Sequence, residues 1–209
     1  MRVTEGLRLC AVVGAISLLG AGVAHAGAEV THFKSNGANA SHNSFDGTTA
    51  YDLNVTRNDS GSGTTTFFAF VTQTCTSDFS VCSGIMGNGF IPNADFSVST
   101  GTARVNTNLA TNSGFTVQNY VQDNVNGTFT TTPAVGGIVN IDWHKTPRQS
   151  QSFKGTSSVT FGGFTNTFIG EQSSDSASTT GTLLGIQLPT NGSSFIGMSK
   201  QSQRIITRN

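Results

Sequence analysis

Across residues 50–57 every second side chain is large and apolar, with Tyr51, Leu53 and Val55 alternating with Asp52, Asn54 and Thr56. A period of two puts the two sets on opposite faces of an extended strand, so this segment meets its burial requirement as a half-buried β-strand. The same rhythm returns at 137–144. There Val139, Ile141 and Trp143 share the face expected to point inward, and Ile138, Asn140 and Asp142 share the other. Apolar spacing of the helical kind is missing after residue 26.

Between the alternating runs lie Gly, Asn, Asp, Ser and Pro clusters, the residues that turn a chain. Residues 58–63 (Asn-Asp-Ser-Gly-Ser-Gly) separate the 50–57 strand from a strongly β-prone run at 64–74, which predicts a hairpin. Phe67, Phe68, Phe70 and Val71 occupy both faces of the second strand, so it is expected to be covered on both sides. Continued to 194–198, this reading gives about ten strands. The expected fold class is all-β, an antiparallel β-sandwich or jelly-roll-like domain. No repeat of fixed length supports a propeller or β-helix. A transmembrane barrel is disfavoured because several strands are short, are Ser/Thr-rich on both faces, and lack a closing C-terminal aromatic.

The start of the chain reads as an address. Arg2 and Arg8 precede an uncharged apolar stretch over 9–23, and Ala24-His25-Ala26 offers small residues two apart, so cleavage of a signal peptide is expected after Ala26. About 15 apolar residues are too few for a membrane span, which needs ~20. Cys10 precedes the apolar run and follows Leu9, the wrong order for lipidation. The expected organisation is a signal peptide at 1–26 and one domain at 27–209, with no transmembrane anchor after cleavage. The protein is expected to be secreted, extracellular or periplasmic. Cys75 and Cys82 are then the two cysteines of the mature chain, and an even count in an exported protein predicts a disulfide between them.

A start of the form Val-x-x-Phe-Lys-Ser (Val30, Phe33, Lys34, Ser35), a Ser/Thr-rich strand before a Cys loop, a strand ending near Trp143 and a late Gly-Thr segment occur in that order. In this the chain resembles uncharacterised secreted all-β proteins of bacteria. The resemblance implies export and β architecture, and no activity.

Charged residues make up 11% of the chain and the formal net charge is zero, with no basic run to neutralise phosphates, so nucleic acid is not an expected partner. Weak charge also leaves strand edges without electrostatic protection, and self-association through those edges is expected. No Gly-x-Ser-x-Gly elbow occurs. His32, His42 and His144 could each bind a metal, yet none is spaced with another histidine. The nearest groupings are His42 with Asp46 in a polar loop, and Asp142 with His144 on one strand face pointing to solvent. Glu29, Glu171 and Asp175 offer little as a glycosidase pair, and 171–175 reads as a solvated loop. Asn58-Asp59-Ser60-Gly61 is thin for calcium. The five Asn-x-Ser/Thr triplets, at Asn39, Asn54, Asn58, Asn126 and Asn191, are what so Asn- and Thr-rich a chain produces by chance. With Tyr51 and Tyr120 the only tyrosines and Trp143 placed inward, a sugar-stacking platform is not visible. No cofactor or catalytic residue is expected. The functional expectation is a secreted non-catalytic β-domain, a surface structural or adhesive component. The alternative is a carbohydrate-binding module or hydrolase whose site the sequence does not locate.

Overall fold

The computed structural model describes residues 29–207, so the expected leader at 1–26 lies outside the described residues. The described residues run through twelve strands: β1 (Glu29–Phe45), β2 (Thr49–Ser60), β3 (Gly63–Cys75), β4 (Val81–Ile91), β5 (Phe96–Ser99), β6 (Thr102–Asn108), β7 (Phe115–Asp123), β8 (Thr128–Pro133), β9 (Ile138–Phe161), β10 (Phe164–Leu183), β11 (Ile186–Gln187) and β12 (Ser193–Thr207). One 3-10 turn at Asn93–Asp95 follows Pro92, whose ring cannot continue the ladder.

All-β architecture holds, with antiparallel pairing throughout. The strands form one sheet, in the order β5-β6-β9-β10-β12-β1-β2-β3-β4-β7-β8, and β11 pairs with β10 at its side. The expected two hydrogen-bonded sheets are replaced by a single sheet that folds back on itself. Leu53, Val55, Phe68 and Phe70 from β2 and β3 share one core with Phe96, Val105, Ile141 and Trp143 from β5, β6 and β9. Trp143 is fully buried, and its Nε1–H donates to the Ser41 carbonyl at 3.0 Å, tying β9 to β1 across the interior.

Local chemistry explains the hairpins. The β2–β3 turn falls in the expected Gly/Ser run, with Gly63 at φ +123°. β3 departs from expectation. Phe68 and Phe70 point inward, but Phe67 and Val71 are about 40% exposed on the outer face, where Phe67 meets Phe90 edge-on at 5.7 Å. One layer covers this strand rather than two. On β4, Gly87 lies under the Phe70 and Phe115 rings, so near that a Cβ there would collide with both.

Four strands outrun the core. The portions 29–37 of β1, 150–161 of β9, 164–175 of β10 and 198–207 of β12 pair in the order β9-β10-β12-β1, and from residue 30 onward none of their side chains is buried. We call this four-stranded extension the arm. Its β9–β10 hairpin closes through Gly162 (φ +55°) and Gly163 (φ +79°), the two consecutive left-handed residues that a two-residue hairpin turn requires. Residues 171–175, expected as a solvated loop, lie within β10 instead, where Lys154 pairs with Glu171 and Lys145 Nζ lies 2.8 Å from Asp175 Oδ1. At the base of the arm β9 and β10 change register. From Lys145 to Ser150 β9 advances five residues while β10 moves two, from Ala177 to Asp175.

Candidate functional site

A disulfide joins Cys75 to Cys82, which face each other as a paired position of β3 and β4. The six residues it encloses are held by polar contacts. Asp78 Oδ1 accepts from the Thr76 hydroxyl (2.6 Å), the Ser80 hydroxyl (2.8 Å) and the Ser80 amide (3.1 Å), which together hold its carboxyl down at a pKa of about 2. Asn124 donates to the Phe79 carbonyl and its amide to that of Ser80, fastening the loop to the end of β7. These bonds are spent within the loop.

The histidines do not converge. His32 and His144 are exposed, His32 on the arm and His144 on β9. Asp142 faces Arg104 of β6, whose Nε is 3.6 Å from its Oδ1, so Asp142 and His144 lie on the outer face, opposite the buried Trp143. His42 is not in a polar loop. It lies within β1, 1% exposed, with Nδ1 2.9 Å from the Ser194 hydroxyl, which accepts from Thr179 Oγ1 at 2.6 Å. Burial pushes its pKa below the usual histidine value, against smaller opposing effects of the Pro189 backbone and the Asp52 charge. Asp46 sits apart in the β1–β2 turn, accepting from the Thr48 and Thr49 amides and from the Tyr51 hydroxyl at 3.1 Å. These bonds, led by the Thr49 amide, lower its pKa.

A serine beside a histidine invites a nucleophile–base reading. The geometry does not support it. Ser194, His42 and Thr179 are all buried, and Asp46, the acid nearest in sequence, is engaged in its own turn. The trio is a buried hydrogen-bonded chain linking β1, β10 and β12. Sequence reasoning missed Ser194 and Thr179 because Ser and Thr are too common here to stand out. Among the described residues no three His, Cys, Asp or Glu side chains gather as metal ligands.

A shallow cleft of ≈ 270 Å³ lies between the 3-10 turn and the β6–β7 loop, lined by Asp95, Thr107, Asn108, Asn112 and Ser113 among others. Its amides are largely engaged in local structure. Asn108 Oδ1 accepts from the Ala110 amide, Asn112 Oδ1 from the Gly114 amide, and Asn112 Nδ2 donates to the Phe90 carbonyl. Among the described residues Asp95 is the one carboxylate lining it, and hydrolysis of a glycosidic bond calls for a facing pair.

The arm is chemically two-sided. One face, continuous with the core side, carries Lys34, Lys154, Lys200 and Arg204 against Glu171 and, at the base, Asp175. The other, continuous with the outside of the sheet, carries Phe33, Phe153, Val159, Phe161, Phe164, Phe168 and Ile205 among Ser, Thr, Asn, Gln and Gly. Phe153 is 70% exposed and Phe161 83%. Among the described residues no strand pairs with the outer edge of β9 over 150–161, nor with that of β1 over 29–34. Comparison with family models, curated proteins and solved structures finds no match for this chain.

Proposed function

We propose that the chain is a secreted, non-catalytic β-domain, a structural or adhesive component of a surface, which associates through exposed parts of its sheet. In this reading residues 1–26 are removed on export, and 27–209 form one sandwich-like domain made by the folded-over sheet. The observation that carries it is the arm, whose four strands leave both faces and two edges uncovered. Such edges present rows of backbone donors and acceptors suited to another strand. Long, unprotected edges are ordinarily blunted in proteins that work as monomers. Here β8 ends at Pro133 and β5 is only four residues long, whereas the 150–161 edge carries Lys154 as its one charge.

The test is fractionation of the producing cells together with sedimentation of the purified secreted protein over a wide concentration range. Surface retention with concentration-dependent assembly is expected. A protein that stays monomeric at every concentration and does not associate with the surface would overturn the reading.

The cleft at Asp95 favours a second reading, in which the domain binds a hydroxylated ligand such as a carbohydrate. A glycan array read against the Asp95→Ala and Ser113→Ala variants tests it, with loss of a specific glycan signal as the supporting result.

A further inference from the structure

We infer that the phenylalanine-bearing face of the arm is a contact by which two copies of this chain pair face to face. This rests on the assembly reading above and names its surface. A sheet with a broad apolar face gains stability when a second layer covers that face. The core covers the opposite side of β1, β10 and β12, and only along their inner halves; among the described residues nothing covers the phenylalanine side of the arm.

Size, charge and polarity each point to a second copy. Four strands ~4.8 Å apart and about 11 residues long at ~3.3 Å each present ~680 Å², near the ~800 Å² that each partner gives to a standard stable interface. Between residues 31 and 207 the phenylalanine face carries no ionisable side chain on any of its four strands, so a two-fold contact brings no like charges together. The opposite face, with four cations against Glu171 and with Asp175 already paired to Lys145, would repel its own copy.

The apolar residues are interleaved with Asn166, Gln172, Gln201 and Gln203, and Gln203 donates to Asn166 at 3.2 Å. Amides in such a row are costly in hydrocarbon but find partners across a protein contact, which favours a second copy over a bilayer. In the middle of the face Gly155 pairs with Gly170. The Phe153 and Phe168 rings lean over these glycines, at 2.9 and 3.2 Å from where a Cβ would stand. Rings leaning over a pair of glycines fill the room that side chains would take, which suits sheet-on-sheet stacking at ~10 Å.

The experiment is light scattering on the secreted protein, with Phe168→Lys and Phe164→Lys on the proposed contact and Thr167→Lys on the opposite face. A dimer is expected for the parent and for Thr167→Lys. The two phenylalanine variants are expected to weaken it by 100-fold or more while keeping the parent's circular dichroism spectrum. Should either lysine variant fail to fold, Ser157→Cys and Ser158→Cys, neighbours on opposite faces, give an independent readout. A short bismaleimide should join two copies through position 157 and not through 158.

A monomeric parent overturns both the contact and the assembly reading. A dimer that ignores Phe164→Lys and Phe168→Lys but is lost in Thr130→Pro, at the β8 edge, overturns the face contact and leaves the assembly reading standing. A parent that binds lipid vesicles as a monomer, and loses that binding with Phe168→Lys, overturns the contact in favour of a membrane.

Discussion

The same strands behave differently along their length. In its inner half β12 buries Ile196 to 4% exposure, whereas two residues further along the same face Met198 is 42% exposed. β1 buries Ala40 and His42 completely or nearly so, yet leaves Val30 42% exposed. Alternation therefore tells which side chains share a face and does not tell which faces are dry. Burial depends on a second layer, and that layer exists only where the sheet folds over itself.

The sharpest way to break this comparison is to truncate one aromatic in each region. Trp143→Ala removes a fully buried ring and leaves the Ser41 carbonyl without its donor, so a loss of about 3–5 kcal/mol or failure to fold is expected. Phe153→Ala on the arm, measured by denaturant unfolding at concentrations where copies are apart, should change stability by no more than ~0.5 kcal/mol. Equal losses would mean that the arm has a covered face after all. Replacing both Cys75 and Cys82 by serine should cost about 2–3 kcal/mol, because the bridge closes a short loop, and should leave the strand content unchanged by circular dichroism.

Acid sharpens the contrast next. His42 has a folded-state pKa below its ordinary value of 6.5, so the unfolded chain takes up its proton first. Its contribution is fully present above that value and is lost as pH falls from 6.5 through the lowered folded pKa. The melting temperature should decline over that range, and His42→Gln should flatten the profile. An unchanged profile in the variant would show that His42 is not buried as described. Asp78 behaves in a different window. Its depressed pKa means that its loop bonds hold above the ordinary carboxylate value near 3.8 and are lost as pH falls through about 2, which carboxyl NMR titration would read directly. The smallest effect is expected from Lys154→Met, which removes an exposed ion pair with Glu171 and should shift stability by under ~0.5 kcal/mol.

Much of the inner sheet is written in local pattern. Tyr51, Leu53 and Val55, and likewise Val139, Ile141 and Trp143, face the core as their alternation requires, and Asp142 and His144 face out. What local pattern could not supply was strand length. Asn36, Gly37 and Asn39 are turn formers by preference, yet they run straight through β1 because β12 pairs on one side and β2 on the other, and two ladders outweigh a weak propensity. Glu171 to Asp175 are extended for the same reason, between β9 and β12. The single sheet was equally illegible, since β1 takes as neighbour the last strand of the chain, a pairing no short window contains. His42 was hidden by its neighbours. Ala38, Ala40, His42 and Ser44 form an inward set of small or polar residues that a search for large apolar side chains passes over.

The register change at the base of the arm resets parity on β9. Odd-numbered residues face the interior up to Lys145, and even-numbered residues continue that face from Ser150, whereas β10 keeps one parity throughout. The step resets the alternation of the first leg alone, while the second leg continues that of the body. Pairs of residues added to or removed from both legs of the hairpin would lengthen or shorten its reach without turning any buried side chain outward. A single-residue insertion in one leg would invert every position between it and Gly162. The extension's length is thus free to vary across evolution in steps of two, while the interior on which folding depends is left as it was.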